Sequence, residues 1–250
     1  MTGATSGTTL KTGDYLFVNK IKACNNRDRN RLTLYRSPLL RDEGKPPLFV
    51  GRCIGRPGDV IQMGVDGFRV NGQLLPDAPM MQPTFHISKH IKEPLLRTLE
   101  SLQIPFRQMR EDSTGIILRM SLQEKDLLIR NLSKVVPIEM IGEYAKTYEF
   151  VIPSKGKVID LNEIVLMVFK EAIMRESGGN ADFRDGTLFI GGERKKSFTF
   201  KNDYFWILSE NEIEGIDSRH LGLIPKDHII GVICYCLYSK EPANRFKRIR

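Results

Sequence analysis

Apolar and polar positions alternate in short runs over the first third of the chain, which is the period of half-buried strands. Tyr15 to Asn19, rich in aromatic and β-branched residues, predicts one strand, and "PPLFVGRCIG" predicts another that runs into the turn "GRPGD". "VIQM" follows as a third. Asp66-Gly67 and Asn71-Gly72 then flank the short run Phe68 to Val70, and both dipeptides predict hairpin turns because they tolerate the positive φ that such turns need. The phrase recurs late in the chain, where "DGFRVNGQ" is echoed by "DGTLFIGGE".

Between Pro83 and Glu139 the pattern changes. "PTFHISK" predicts a strand, "EPLLRTLESLQ" a helix with Leu95, Leu96, Leu99 and Leu102 on one face, and "PFRQMRE" with "GIILRMS" a hairpin. "SLQEKDLLIRNLS" opens with a capping box, Ser121 and Glu124, and "VVPIEM" closes the set. The order βαββαβ is that of a ferredoxin-like module. Strand-rich text resumes at "YEFVIPSKGKVIDL", so residues 83–142 are expected as an insertion into a β-rich core made of residues 1–82 and 143–250. The resumed text carries one amphipathic helix, with Leu161, Ile164, Val165, Val168, Phe169, Ala172 and Ile173 at helical spacing and Gly178-Gly179 as its stop. "KSFTFKNDYFWIL" and "HIIGVICYCLYS" return to strands, separated by the loop "SENEIEGIDSRHLGLIPKD".

With 250 residues, 41% of them hydrophobic, the chain can bury a substantial core. Its formal charge of +8 attracts acidic surfaces, but the cations are scattered outside the C-terminal "NRFKRIR" and the cluster Arg194 to Lys196. No basic run is interleaved with aromatics as a nucleic-acid stacking platform requires, so nucleic acid is not an expected partner. No apolar run reaches the ~18 to 20 residues that span a bilayer. Cys24, Cys53, Cys234 and Cys236 form no CxxC pair and are expected as small buried hydrophobes. His86 and His90 are four apart, which suits metal ligands on a helix, but His86 falls in a strand pattern.

Three segments, "TSGTTLKTGDYLFVNK", "FVGRCIGRPGD" and "SENEIEGIDSRHLGLIP", resemble in order and spacing the type I signal peptidase (leader peptidase) family, in a Bacteroides-like version. The family phrases are S-M-x-P-T-L with a following G-D, K-R-x-x-G-x-P-G-D, and G-D-N-x-x-x-S-x-D-S-R. The second is matched by Arg52, Gly55, Pro57, Gly58 and Asp59, and the third by Asn211, Asp217, Ser218 and Arg219. The resemblance implies a mainly β fold, a signal-peptidase-type β-barrel or antiparallel sheet core carrying the ferredoxin-like insertion. It also implies serine-type cleavage of secretory signal peptides on the extracytoplasmic side of the cytoplasmic membrane, with no cofactor and no metal.

That chemistry needs a serine hydroxyl and a lysine whose pKa is lowered by burial, so that a neutral amine can take the proton. The lysine position is Gly51, which has no proton acceptor. Aligning Leu10 with the family leucine puts Thr5 at the nucleophile position, with Ser6 beside it as the one alternative. The serine that hydrogen-bonds the lysine is matched by Gly215, and Ser209-Glu210 stand in place of G-D. The resemblance gives Arg52, Gly58, Asp59, Asp217, Ser218 and Arg219 scaffold roles around the site, with Asp217 and Arg219 as an ion pair. The chemistry is selectively altered and the scaffold kept. The expected partner is therefore an extended peptide, such as the signal-peptide segment of an exported protein, lying along Phe49, Val50 and Leu10, together with the membrane surface. The alternative is a weak signal peptidase using Thr5 or Ser6. The family's membrane anchor precedes the nucleophile segment, so an anchor is expected to be missing from the start of this chain.

Overall fold

The computed structural model describes residues 9–11, 13–20, 29–40, 46–64, 67–75, 84–104, 107–132, 137–141, 148–210 and 215–249. They are mainly β, arranged as several antiparallel sheets. The largest sheet runs in the order Tyr15–Asn19, Ile229–Tyr238, Arg31–Arg36, Leu48–Gly55, Tyr204–Leu208, Ile224–Pro225, with Lys247–Arg248 added beside Ile229–Tyr238. A sheet order with two ends is open, and the barrel anticipated as one form of the core is not closed among the described residues.

Sequence pattern explains most of this sheet. In Leu48–Gly55, Phe49 and Cys53 point to a cluster with Tyr35, Phe205, Ile207, Leu221, Ile224 and Ile229. Val50, between them, packs on the other face with Leu10, Leu32, Leu34 and Ile233. A strand buried on both faces must be apolar at both parities, which is why "LFVGRCIG" reads as a run and not as an alternation.

A second sheet, in the order Tyr148–Val151, Val60–Gly64, Gly67–Val70, Gln73–Leu74, covers the largest cluster from one side. The helix Glu163–Glu176 lies against the same cluster through Val165, Leu166, Phe169, Ala172 and Ile173. It starts two residues later than its apolar pattern, because the Asn162 carboxamide accepts the Val165 N–H and caps it. Leu166 takes a core place, while Ile164 and Val168 stay half-buried. Phe169 meets Phe150 and Phe200 edge-on, and Phe150 also touches Trp206, so four aromatics from distant parts of the chain tie helix and sheets together.

The two echoed phrases fold alike. Asn71 and Gly72, and again Asp185-Gly186 and Gly191-Gly192, all have positive φ, and each pair turns a two-residue hairpin next to a four-residue strand, Gly67–Val70 in one case and Thr187–Ile190 in the other. Asp66 lies outside the described residues. "KSFTFKNDYFWIL" is not one strand but two, Ser197–Thr199 and Tyr204–Leu208. The break is held by the Glu176 carboxylate, which accepts the Lys201 and Asn202 amides at 2.6 and 3.1 Å and the Tyr204 hydroxyl at 2.9 Å.

Residues 84–141 have a sheet and a core of their own. The strands Thr84–Ser88, Arg107–Glu111, Gly115–Arg119 and Ile138–Ile141 lie in the order fourth, first, third, second, all antiparallel, as in a ferredoxin-like sheet. Leu95 and Leu99 from Lys92–Ser101 and Leu128 from Leu122–Asn131 fill its cluster with Phe85, Ile87, Ile116 and Leu118. Both bonds of the Ser121/Glu124 capping box are present, at 3.1 and 2.7 Å.

Candidate functional site

Gly51 lies in the buried part of Leu48–Gly55, facing the apolar cluster of Phe49, Cys53 and Ile207. Those are surroundings that would depress a lysine pKa, but they leave no room for one. A Cβ on Gly51 would lie 2.7 Å from the Leu208 carbonyl oxygen and 2.8 Å from Ile207 Cγ2. Ordinary carbon contacts begin near ~3.5 Å. The neighbouring strand Tyr204–Leu208, irregular between Trp206 and Ile207, has closed over the position.

On the opposite face, Arg52 Nε donates to Glu210 Oε1 at 2.7 Å and Arg52 Nη1 to the Asn30 carbonyl at 2.8 Å. The same carboxylate accepts the Thr9 hydroxyl at 2.8 Å and the Thr9 amide at 3.2 Å. An almost buried ion pair thus ties the start of the chain, the Gly51 strand and the late loop to one another.

The late loop is built around Asp217, which has no exposed surface. Its carboxylate accepts Arg219 Nη2 at 2.7 Å, the Arg219 amide at 2.9 Å and the Ser209 amide at 2.9 Å, and it caps the short helix Ser218–Leu221. Burial alone would raise its pKa, but the hydrogen bonds from His220 and Arg219 and the charge of Arg219 outweigh it, and the group is held below the usual carboxylate range. Ser218 Oγ accepts the Ile207 amide at 2.9 Å. Tyr35 donates its hydroxyl to the Ile216 carbonyl at 3.3 Å, and burial followed by the charge of Asp217 pushes its own pKa upward. Ile207 and Ser209 are therefore fastened to the loop, and they are the residues on either side of the carbonyl that fills the Gly51 position.

The turn after the strand is set by Gly58, at φ +86°, where a side chain would be strained. The Asp59 amide donates to the Arg56 carbonyl at 2.9 Å across it. The Asp59 carboxylate accepts Arg29 Nη2 at 3.0 Å, the Arg56 amide at 2.9 Å and Asn71 Nδ2 at 2.9 Å, joining the turn to the first echoed hairpin.

A family model described as signal peptidase, peptidase S26, matches residues 2–116, a span that contains the strand of Gly51, its turn and the Thr9 segment. Over these residues the chain is similar to the signal peptidase family. No curated protein matches the chain.

The structure brings Gly51, Arg52 and Asp217 to Arg219 around one strand end, Ile207 to Glu210. Gly215 is buried. Thr5, Ser6 and Asn211 lie outside the described residues, as does Cys24. Thr9 and Leu10, the first described residues after Thr5 and Ser6, are on the Val50 and Arg52 face, whereas Gly51 faces the other cluster.

The side chains of Leu10 and Phe49, expected along a peptide, are 5% and 8% exposed and belong to opposite clusters. Their apolar character serves the core. What the strand does present is main chain. It pairs with Arg31–Arg36 from Leu48 to Cys53, but with Tyr204–Leu208 only from Arg52 onward. The Ser37 amide to Pro47 carbonyl bond continues the first ladder, so odd-numbered residues turn their amides toward Arg31–Arg36. Leu48 and Val50 turn theirs to the side that has no ladder among the described residues. The Ser209 amide turns the other way, to Asp217.

Sequence reading placed Glu210 only as a departure from G-D. The signal that could have found its role is that an acid is kept at the acidic position of that pair while the glycine is not. The contact of Leu208 with Gly51 has no such signal.

Proposed function

We propose that this chain is a signal peptidase relative that holds an extended peptide without cutting it by a Ser/Lys dyad, acting as an export or surface-assembly accessory on the extracytoplasmic side of the membrane. The observation that carries the reading is the Leu208 carbonyl 2.7 Å from where a Gly51 side chain would begin. A base that was merely deleted would leave a gap; here the neighbouring main chain occupies the place. The peptide would add as a strand along Leu48 to Val50, where main-chain hydrogen bonds give affinity and side-chain pockets give selectivity. Residues 84–141, with their separate core, would be a module inserted into the discontinuous core of residues 1–82 and 143–250.

The test is binding and cleavage of a fluorescent peptide carrying an Ala-x-Ala segment. Val50→Pro removes one donor from the open side and leaves the ladder to Arg31–Arg36 its donors. The expected result is no cleavage, measurable binding, and at least tenfold weaker binding by Val50→Pro, compared at a temperature at which circular dichroism shows both proteins folded. Efficient cleavage that Thr5→Ala or Ser6→Ala abolishes would overturn the non-cutting reading. Equal binding by both proteins would overturn the edge-strand reading.

A further inference from the structure

Among the described residues of the ferredoxin-like segment, the helices lie on one side of the sheet. Phe85, Ile87, Ile116 and Leu118 point to Lys92–Ser101 and Leu122–Asn131 and fill the cluster between them. The alternate positions make the opposite face, and the register lays them out in two rows across the four strands. One row is Arg110, Ile117, His86 and Glu139, each opposite the next; the other is Arg107, Arg119, Thr84 and Ile141. Ile117 and Ile141 are half-buried and join no buried cluster among the described residues. A sheet face with apolar residues in it is ordinarily covered by a further layer.

Charge is sorted between the two sides. Arg110 is exposed and Arg119 half-buried, and Glu139, at the far end of its row, is the single acid in the two rows. Glu93, Glu100, Glu124 and Asp126 are carried by the helices. Glu111 is opposite Ile116, in register with the helix side, and is bridged to Lys92 at 2.6 Å and Lys89 at 3.0 Å. His86 is held down in the middle of the open face. The Thr114 hydroxyl donates to Asp112 Oδ1 at 2.7 Å, so it accepts from His86 Nε2 at 3.0 Å. A Cβ on Gly115 would lie 2.6 Å from that nitrogen, so the glycine is what lets the ring lie over the strand. The centre of the face is thereby fixed before anything binds, which lowers the ordering cost of association.

We propose that this open face binds an acidic amphipathic helix of a partner protein, its apolar stripe on Ile117 and Ile141 and its carboxylates on Arg110 and Arg119. The inference does not depend on the strand edge at Leu48 to Val50. A helix is the element that the same sheet already takes on its other side, and the excess of arginine over acid selects the sign of its charge. A second copy of the chain would bring a like excess of cations onto the face and be repelled. A nucleic-acid strand would meet the cations, but the two rows hold no Phe, Tyr or Trp on which bases could stack, because Phe85 is turned to the helices.

The experiment is fluorescence anisotropy of the whole chain with a labelled helical peptide whose leucine stripe is flanked by glutamates, beside the same peptide with lysine for every glutamate. The variants are Arg110→Glu and Ile117→Thr on the face, Arg130→Glu on the helix Leu122–Asn131 as an equal change of charge away from it, and Val50→Pro. Each is compared at a temperature at which circular dichroism shows it folded. The glutamate peptide is expected to bind, more weakly as salt rises, and the lysine peptide not to bind. Arg110→Glu is expected to weaken binding about tenfold, since an attractive exposed pair gives way to a repulsive one. Ile117→Thr is expected to weaken it about fourfold, for roughly one methyl group of apolar contact. Arg130→Glu and Val50→Pro are expected to bind like the parent. No binding, equal binding of the two peptides, face variants that bind like the parent, or a loss in Arg130→Glu or Val50→Pro as large as in Arg110→Glu would each overturn the proposal. Displacement of the peptide by a single-stranded oligonucleotide, or a dimer of the chain in sedimentation that Arg110→Glu dissociates, would assign the face to another occupant and overturn it as well.

Discussion

Replacing Gly51 tests whether the space beside it is empty or filled. In Gly51→Ala the new Cβ meets the Leu208 carbonyl oxygen at 2.7 Å, Ile207 Cγ2 at 2.8 Å and the Leu208 carbonyl carbon at 3.1 Å. Two of these three atoms are main chain of a paired strand whose next amide is tied to Asp217. They cannot rotate away, so a strand must move. Overpacking by one methyl group in such a place costs about 1 to 3 kcal/mol. For a chain of this size each kcal/mol lowers Tm by about 2 to 4 °C, so the expected fall is roughly 2 to 12 °C. Adding Ile207→Ala relieves the side-chain contact and leaves the carbonyl contact, so the double variant is expected to fall by less than the sum of the single changes. Gly51→Lys is expected to lose more, because its amine must also be desolvated against Phe49 and Cys53, and to gain no peptidase activity. Thermal unfolding followed by far-UV circular dichroism measures the parent and the four variants. A Gly51→Ala variant as stable as the parent, or a Gly51→Lys variant that folds normally and cuts signal peptides, would refute the closure of the strands.

Two further outcomes follow from the charges at the site. Glu210→Ala leaves the Arg52 guanidinium mostly buried without its carboxylate, and is expected to destabilise by about 3 to 5 kcal/mol and to raise amide exchange at Thr9 and Leu10; substitution of Arg52 and Glu210 together is expected to cost much less than the sum. Asp217 is held below the pKa it has in the unfolded chain, so its contribution to stability is full above about pH 4 to 5 and is lost as pH falls through the native value. The parent is therefore expected to lose stability on acidification more steeply than Asp217→Asn, which starts lower and stays flatter in a Tm-against-pH series.

The candidate site was legible in part, and the boundary follows physics. Gly58, Asp59, Asp217 and Arg219, singled out by the family resemblance, act over a few residues in turns, caps and ion pairs that need particular side chains. Asp217 does cap and pair with Arg219, and Gly58 does take positive φ. The capping box at Ser121 and the two echoed hairpins were equally visible for the same reason. Distance in sequence is what hid the rest. The Thr9 contact with Glu210 joins residues 201 apart, and the break in "KSFTFKNDYFWIL" depends on a carboxylate in another element. Leu10 and Phe49 looked like a peptide-binding surface because apolar strand residues read alike whether a ligand or the protein's own core covers them. That Gly51 offers no proton acceptor was plain from the sequence, but the carbonyl packed against it could only be found in three dimensions.

The register of the ferredoxin-like sheet has a consequence for how such a chain can be assembled. Its first and last strands are neighbours, with Thr84 directly opposite Ile141. The chain thus leaves these residues beside the point where it came in, at the spacing of a single strand pair. For the surrounding sheets, holding the whole segment is equivalent to closing a short loop, since the ends arrive already joined by hydrogen bonds and no distance has to be spanned. The segment can grow, shrink or exchange its outer surface while the strand that carries Gly51 keeps its register.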